Sequence, residues 1–466
     1  MTELSISTIH GSQSDMESDF SSVHAEEVDV NFPTDFDKKH NIIINTTPQL
    51  EALSARYKYS FAYKTFRERV PRMLNELMSC MKEKEDRIME QCGDYARFAL
   101  SRVLWSLDIL RNEVLANEMF KHFHDKDSDA NDWNGFIEKL ERREKNQWFS
   151  ANWLHAECYL YRRISAAFRR EETLRDYDYF SSQKMCAARN IVYLMHTVLK
   201  ELSQLSRSRD SFQLMLKVSL WGNRYDLSLF KALTDKPIGE YDKHLIEDQS
   251  ADVWRLLTEG IHSSVSPVTV DIVLDNAGFE LFTDLLLGEY LVRTGLVKKV
   301  CYHVKAIPWF VSDVTANDFH WMLRFLRDHH ITEMSAFGRR LLRLFRNRSM
   351  TLCDNSSFWT RPQGCRFMRE LSPCLYVHLS FGALAIFKGD LNYRKLLDDI
   401  NLNPTTPFSE GLGDFLPTSI CALRVIKSDL YCGMPHCAVE WLTESDPNWM
   451  LSGEKAVIQL AIKPRP

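Results

Sequence analysis

The sequence predicts an α/β protein: an N-terminal all-helical region packed on a C-terminal α/β/α three-layer domain with a largely parallel sheet. Three observations carry that expectation. Before about Val265, apolar residues recur at spacings of three and four, the helical period, with almost no strand signal. After Pro267, strand and helix patterns alternate, as they do in a parallel sheet with crossover helices. The first such unit, VTVDIVLDNAGFE at Val268–Glu280, closes a β-branched run on Asp275-Asn276 and a tight Ala-Gly turn. Two oxygen-bearing side chains at the carboxyl end of a strand sit where open α/β sheets place ligands.

Length and composition allow this architecture. The chain has 466 residues, 45% hydrophobic and 26% charged, enough for one or two domains with a large core. Residues 1–48 are rich in Ser, Asp and Glu and poor in large apolar groups, which predicts a disordered acidic tail. Residues 49–245 read as a helical domain. In it Pro71 is placed to open a helix, and ARFALSRVLWSLDILRNEVL, NQWFSANWLHAECYLYRRISAAF and NIVYLMHTVLKELSQL keep the helical period. SLWGNRYDLSLF closes the region.

Residues 246–466 read as the α/β domain. Strand Val268–Leu274, helix Glu280–Val292 and strand Val297–Val304 make a right-handed parallel crossover. Thr315 and Asp318 form a capping-box pattern before the helix FHWMLRFLRDHH, and His329-His330 near its end suit a charge–dipole role. Strand Ala383–Phe387 runs into KGDLNYRKLL, and strand Ile420–Ile426 runs into Lys427.

The formal net charge of −5 offers no basic surplus for nucleic acid or a membrane surface. No apolar run is long enough to span a bilayer and no signal-like segment opens the chain, so a cytoplasmic location, with nuclear as the alternative, is expected. The 11 cysteines are scattered through apolar stretches and read as reduced core thiols. Cys432, His436 and Cys437 lack a second ligand pair, so packing is preferred there to zinc.

Four strand ends deliver polar groups: Asp275-Asn276, then Asp313, then Asp390, Asn392 and Arg394, then Lys427. A parallel sheet puts all four on one edge. Asp275, Asn276 and Asp313 present only oxygen, which suits a hard divalent cation. Arg394 and Lys427 would add positive charge, and a metal beside cations suits a phosphorylated substrate. Singly these signals are weak. An Asp-Asn pair also makes turns, Asp313 could cap a helix, and Lys427 could be a surface lysine. Their conjunction at successive strand ends is what argues for function.

The strings LDNAGFELFTDLLL, KAIPWFVSD and FKGDLNYRKL resemble motifs of the damage-control phosphatase family. Within it the chain is similar to the sugar phosphate phosphatase III branch, whose animal members are also called acidic-residue methyltransferases. SFAYKTFRERVPRML, AECYLYRRI and SLWGNRYDLS resemble that branch's helical region, so the likeness runs from about residue 50 onward. The resemblance implies Asp275, Asn276 and Asp313 as ligands of Mn²⁺ or Mg²⁺, with Co²⁺ or Ni²⁺ as alternatives. It implies Asp390, Leu391, Asn392, Tyr393 and Arg394 as a sugar phosphate-binding loop, joined by Asp275, Asn276 and Lys427. Asp275, Asp313 and Lys427 would be catalytic. Lys427 and Arg424 match an Arg-Thr-x-Lys signature, in which Val425 replaces the threonine.

The implied activity is metal-dependent hydrolysis of small sugar phosphates, fructose 1-phosphate and fructose 6-phosphate foremost. The nucleophile is a metal-activated water or the Asp275 carboxylate. The branch's second name implies an alternative, S-adenosylmethionine-dependent methylation of protein glutamate carboxylates, with Glu280 and Asp313 at the cofactor. The DNAGFE turn sets an acidic group where such a cofactor would want bare backbone, which favours the phosphatase. A non-catalytic interaction protein is disfavoured, because no metal or cationic position is lost.

Overall fold

The computed structural model describes residues 32–223, 243–259, 268–354, 356–434 and 436–464. Its strands are β1 (Leu245–Asp248), β2 (Thr269–Val273), β3 (Lys299–His303), β4 (Met350–Cys353), β5 (Leu384–Lys388), β6 (Ser419–Val425) and β7 (Ala456–Ala461). They form one sheet in the order β1-β7-β6-β5-β2-β3-β4. Every neighbouring pair is parallel except β6 with β7. The largely parallel sheet is therefore as expected, and β2, β3, β5 and β6 fall where the sequence placed strands. β1, β4 and β7 were not anticipated. β1 also precedes Pro267, so the strands begin earlier than expected.

The helices that frame the sheet are α1 (Ala96–Leu115), α2 (Trp153–Arg169), α3 (Arg209–Trp221), α4 (Phe279–Arg293), α5 (Ala316–Arg327), α6 (Thr332–Arg346), α7 (Pro373–Ser380) and α8 (Gly389–Leu397). Alternation along each strand sends side chains to two separate cores. Val270 and Ile272 of β2 pack with Phe282, Phe319, Phe337 and Met215 of α4, α5, α6 and α3. On the other face Val273, Ala385, Phe387 and Ala422 pack with α1, α2, α7 and α8. Three layers result, and helices from before residue 245 reach both faces of the sheet.

Local chemistry explains several elements. In α4 every residue from Phe279 to Leu291 is buried, so the helix is enclosed all round rather than striped, with Glu280, Asp284 and Glu289 among its buried residues. Gly288 lets α4 lie on β3, because a Cβ there would overlap the Tyr302 hydroxyl. The expected capping box opens α5: Asp318 N donates to Thr315 Oγ1 at 3.3 Å, and Thr315 N donates to Asp318 Oδ2 at 2.9 Å. Pro71 lies in the first turn of helix Val70–Glu83, as read. All eleven cysteines are free. Among the described residues no helix is long and apolar enough to cross a membrane.

Two expectations reach beyond the described residues. Of the acidic tail, residues 1–31 lie outside the described residues, as does SLWGNRYDLSLF from residue 224 onward. Residues 32–48 differ from the expected disorder. Asp35–Lys39 is a capped helix, and its buried Asp37 meets Lys58 Nζ at 3.0 Å and Tyr63 Oη at 2.6 Å. A charged group with two buried partners holds a segment whose composition alone suggests a solvated chain.

Arg394 of α8 joins the two parts of the molecule. Its Nη1 reaches Glu157 Oε2 of α2 at 2.6 Å, and its Nε and Nη2 clasp Asp399 at 2.8 and 2.7 Å. The guanidinium lies over the Trp153 ring at 3.7 Å. Asp399 Oδ2 also accepts from Leu154 N at 2.7 Å, which sets a carboxylate on the positive end of α2. Removing the arginine would strand two buried carboxylates. Arg394→Ala should therefore destabilise the protein by roughly 3–5 kcal/mol in urea denaturation. A variant that unfolds like wild type and only binds substrate worse would contradict this structural role.

Candidate functional site

The chain runs β2, β3, β4 outward to one side and then returns to place β5 on the other side of β2. The carboxyl ends of β2 and β5 thus flank the point where strand order reverses, the usual ligand crevice of such sheets. Asp275-Asn276 follow β2, Lys305 follows β3, Gly389-Asp390 follow β5, and Lys427 follows β6. Gly389 has φ +79°, and a Cβ there would overlap the Asp275 carboxylate. Only glycine lets α8 start this close to Asp275.

The structure brings Asp275, Asn276 and Asp313 together. Asn276 Nδ2 donates to Asp275 Oδ2 at 2.8 Å and to Glu280 Oε2 at 2.9 Å. Ser312 Oγ donates to Asn276 Oδ1. Backbone bonds stitch the Asp313 loop to the end of β2: Ala277 N to Ser312 O and Val314 N to Asp275 O, both 2.8 Å. Asn276 and Asp313 are paired as an isolated β-bridge. Phe310 and Val311 just before them have φ of +42° and +66°, a strained conformation for a bulky and a β-branched residue.

Lys305 was not anticipated. Its buried Nζ lies 3.0 Å from Asp313 Oδ2 and donates to Leu274 O at 3.1 Å. The contact with Asp313 is an ion pair without hydrogen-bond geometry, so Asp313 Oδ2 has no hydrogen-bond partner. Lys388, also unforeseen, sits between Glu280 at 3.2 Å and Asp284 at 2.9 Å. Four buried carboxylates, Asp275, Glu280, Asp284 and Asp313, thus face two buried ammonium groups, Lys305 and Lys388. Burial pushes the Asp275 carboxyl well above the usual range, and Glu280 and Asp313 push it further; Lys305 and Lys427 oppose them. Burial likewise raises Asp313, against Lys305. This excess of negative charge, with an all-oxygen donor set, fits a hard divalent cation.

The expected phosphate loop is arranged differently. Asp390 to Arg394 form the first turns of α8, and their side chains are largely used inside the protein. Asp390 accepts from Arg424 Nε at 2.8 Å, Ser428 Oγ at 3.1 Å and the Lys427 backbone N at 3.2 Å. Burial raises the Asp390 carboxyl, but Arg424 and Arg394 outweigh it and hold it below its ordinary value. Leu391 and Tyr393 lie in the core, with Tyr393 Oη donating to Gln459 Oε1 at 2.8 Å. Asn392 Nδ2 braces both strand ends, donating to Lys388 O at 2.7 Å and Leu274 O at 3.1 Å. Arg394 is taken up by Glu157 and Asp399, so it is not the free cation that the sequence reading made it. Lys427 is exposed, with Nζ 3.5 Å from Asn223 Oδ1. Val425, in the threonine position of the signature, is buried in the apolar core beside α3 and α4.

A second cluster escaped the sequence reading. Among the described residues, Asp271, Cys301, His303 and His378 alone gather His, Cys, Asp or Glu ligand atoms within 4.8 Å of one another. The carboxylates of Asp275, Glu280 and Asp313 do not draw that close in these rotamers. Burial pushes the Cys301 thiol up, but hydrogen bonds from His303 and His378 bring it down to about 6. The four residues are far apart in sequence, and only the β2–β3 register and the placing of α7 unite them.

The family model of the damage-control phosphatase ARMT1-like domain matches residues 65–441. The chain is 34% identical over 434 residues to Damage-control phosphatase ARMT1 of Danio rerio, covering 88% of this chain and 97% of that protein. It is 33% identical over 429 residues to the Rattus norvegicus protein of that name, covering 87% and 97%. With the Homo sapiens protein it shares 30% over 431 residues, covering 88% and 98%. The chain belongs to the ARMT1-like damage-control phosphatase family.

The crowding of acids has a measurable cost. A carboxyl whose pKa is raised on folding binds more protons in the native state, so stability falls as pH rises between its unfolded and folded values. Asp275→Asn removes that penalty. In metal-free protein it should melt roughly 2 °C higher than wild type near neutral pH. The gap should widen as pH rises from about 5 to 8. Thermal melts in chelator across that range check it, and an equal or lower melting temperature for the variant would refute the charge excess.

Proposed function

We propose that this protein is a metal-dependent phosphatase of small phosphorylated sugars, with fructose 1-phosphate and fructose 6-phosphate as the leading substrates. Membership of a damage-control phosphatase family supports a metabolite-repair hydrolase, and the resemblance of its motifs supports sugar phosphates. The observation that carries the reading is the under-neutralised group of four buried carboxylates, Asp275, Glu280, Asp284 and Asp313, against Lys305 and Lys388 at the β2–β5 crevice, with Lys427 at its rim.

Asp275, Asn276 and Asp313 would hold the cation. When bound, it supplies Lewis-acid polarisation of a phosphate oxygen and balances the buried acids. The chain's own groups do the rest. Lys305 fixes Asp313, and the amide of Asn276 fixes Asp275 against Glu280. Asp390 holds the backbone of Lys427, so that the lysine is delivered to the crevice from a rigid loop. Lys427 then meets the phosphate as a mobile point charge. The amino end of α8 opens at the same crevice, and helix N-termini favour anions. In this reading the motif around Asp390–Arg394 binds phosphate through the start of its helix rather than through Arg394. Water or the Asp275 carboxylate attacks phosphorus as the phosphorus–oxygen bond to the sugar breaks; the sugar oxygen leaves and takes a proton from water, and after carboxylate attack a second water hydrolyses the aspartyl phosphate. Lys305 and Lys427 are the cations that favour the ionised form of Asp275. The methyltransferase reading has less support, because Glu280 is buried and engaged with Lys388 and Asn276.

A panel of phosphate esters assayed with Mg²⁺, Mn²⁺, Co²⁺ and chelator tests the proposal. Release of phosphate should need the metal. Asp275→Ala should abolish turnover at any substrate level. Lys427→Ala should lower kcat and raise KM, with a loss of roughly 2–4 kcal/mol, about thirty- to a thousand-fold in kcat/KM. Turnover that survives chelation, or near-normal rates for Asp275→Ala, would remove the mechanism.

A further inference from the structure

Four donor atoms of different kinds converge on the sheet face that turns toward the helical region. Asp271 of β2 pairs in register with Cys301 of β3, and His303 lies two residues on, so all three side chains point to one face. His378 comes from α7, which covers that face. The His303 Nε2 and His378 Nε2 atoms approach the same oxygen, Asp271 Oδ1, at 2.9 and 2.8 Å. The Cys301 sulfur completes a set in which all ligand atoms lie within 4.8 Å of one another. Asp271 and His303 are 0% and 1% exposed. The second carboxylate oxygen of Asp271 is buried without a hydrogen-bond partner.

This arrangement suits an ion better than a hydrogen-bonded cluster. A buried carboxylate that served only as an acceptor would spread its donors over both oxygens. Here two imidazoles crowd one oxygen beside a thiol, which leaves the other oxygen unused. Two neutral imidazoles, one thiolate and one carboxylate around a divalent ion sum to zero charge. They also supply the four mixed N, O and S ligands of a tetrahedral site. Sulfur and imidazole exclude Mg²⁺ and Ca²⁺ and select Zn²⁺ and its neighbours.

We propose that Asp271, Cys301, His303 and His378 form a second metal site, which binds a Zn²⁺-class ion and ties α7 to β2 and β3. It is separate from the crevice: Asp271 lies within β2, four residues before Asp275 beyond the strand's end, about 13 Å at the usual rise. With all four positions filled by protein, the ion would be structural. Binding releases the cysteine proton to solvent and leaves both histidines neutral, with no change of oxidation state.

The test uses the full chain, stripped of metal and titrated with Zn²⁺ or Co²⁺ alone. Wild type and Asp275→Asn should each bind one equivalent of Co²⁺ with a sulfur-to-cobalt charge-transfer band, which the oxygen ligands of the crevice cannot produce. Cys301→Ser should lose the band. His378→Ala, at a half-exposed helix position that folding tolerates, should weaken Zn²⁺ binding about 100-fold in chelator competition while circular dichroism stays unchanged. A folded wild type that shows no such band, or a His378→Ala protein with unaltered Zn²⁺ affinity, would overturn the site. A band that persists in Cys301→Ser would do so too, by assigning the sulfur to another cysteine.

Discussion

The buried triad of Arg394, Glu157 and Asp399 is the interaction on which the rest of the arrangement depends. A guanidinium in that setting is tolerable only with both carboxylates present, and each carboxylate only with the guanidinium. Because Arg394 stands on α8 and Glu157 on α2, the helical region and the sheet share one electrostatic lock. α8 begins at Gly389 against Asp275. The position of the crevice's first turn is therefore set from more than one side: by the sheet below it and by the helical layer above it.

The crevice itself is organised by charge that does not balance. Lys305 and Lys388 reach in from the ends of β3 and β5, and between them they touch three of the four buried acids. Neither lysine faces bulk water. Their role is to keep the acid group foldable without a ligand while leaving it short of positive charge. The loop that carries Asp313 adds strain to this, with two left-handed residues held by hydrogen bonds from the neighbouring turn. A site that is under-neutralised and locally strained is ready for a cation and an anion together.

Much of this was legible in the sequence, and the failures have physical reasons. β2, β3, β5 and β6 are apolar runs with polar groups at or beyond their ends, so both their existence and their exits could be read. β1 and β4, LIED and MTLC, are four-residue edge strands too short to carry a period. β7, AVIQLA, reads equally as a strand or the end of a helix until its partner is known. Asp275 and Asn276 were legible because a polar pair directly after an apolar strand is unusual, and Asp313 because it stands in the loop after the next strand. Lys305 was not, since a lysine after a strand is ordinarily solvated. Arg394 was misplaced because residue type does not say which side of a helix it faces. Asp271, Cys301, His303 and His378 had no local signature at all, since strand register makes the cluster and one sequence does not disclose register.

The way the sheet closes has a consequence for how the chain is made. β1 can enter only by pairing with β7, and Leu460 N meets Gln249 across a separation of 211 residues. During synthesis β1 therefore emerges long before its partner exists. β6, whose outer edge takes β7 in antiparallel pairing, also waits with that edge open until β7 has been made. Contacts of such sequence separation close slowly. β7 covers the open edge of β6 and gives β1 its partner in one step. A truncation before Ala456 would leave β1 without a partner and one edge of β6 open, and the nascent protein exposed to edge-to-edge association.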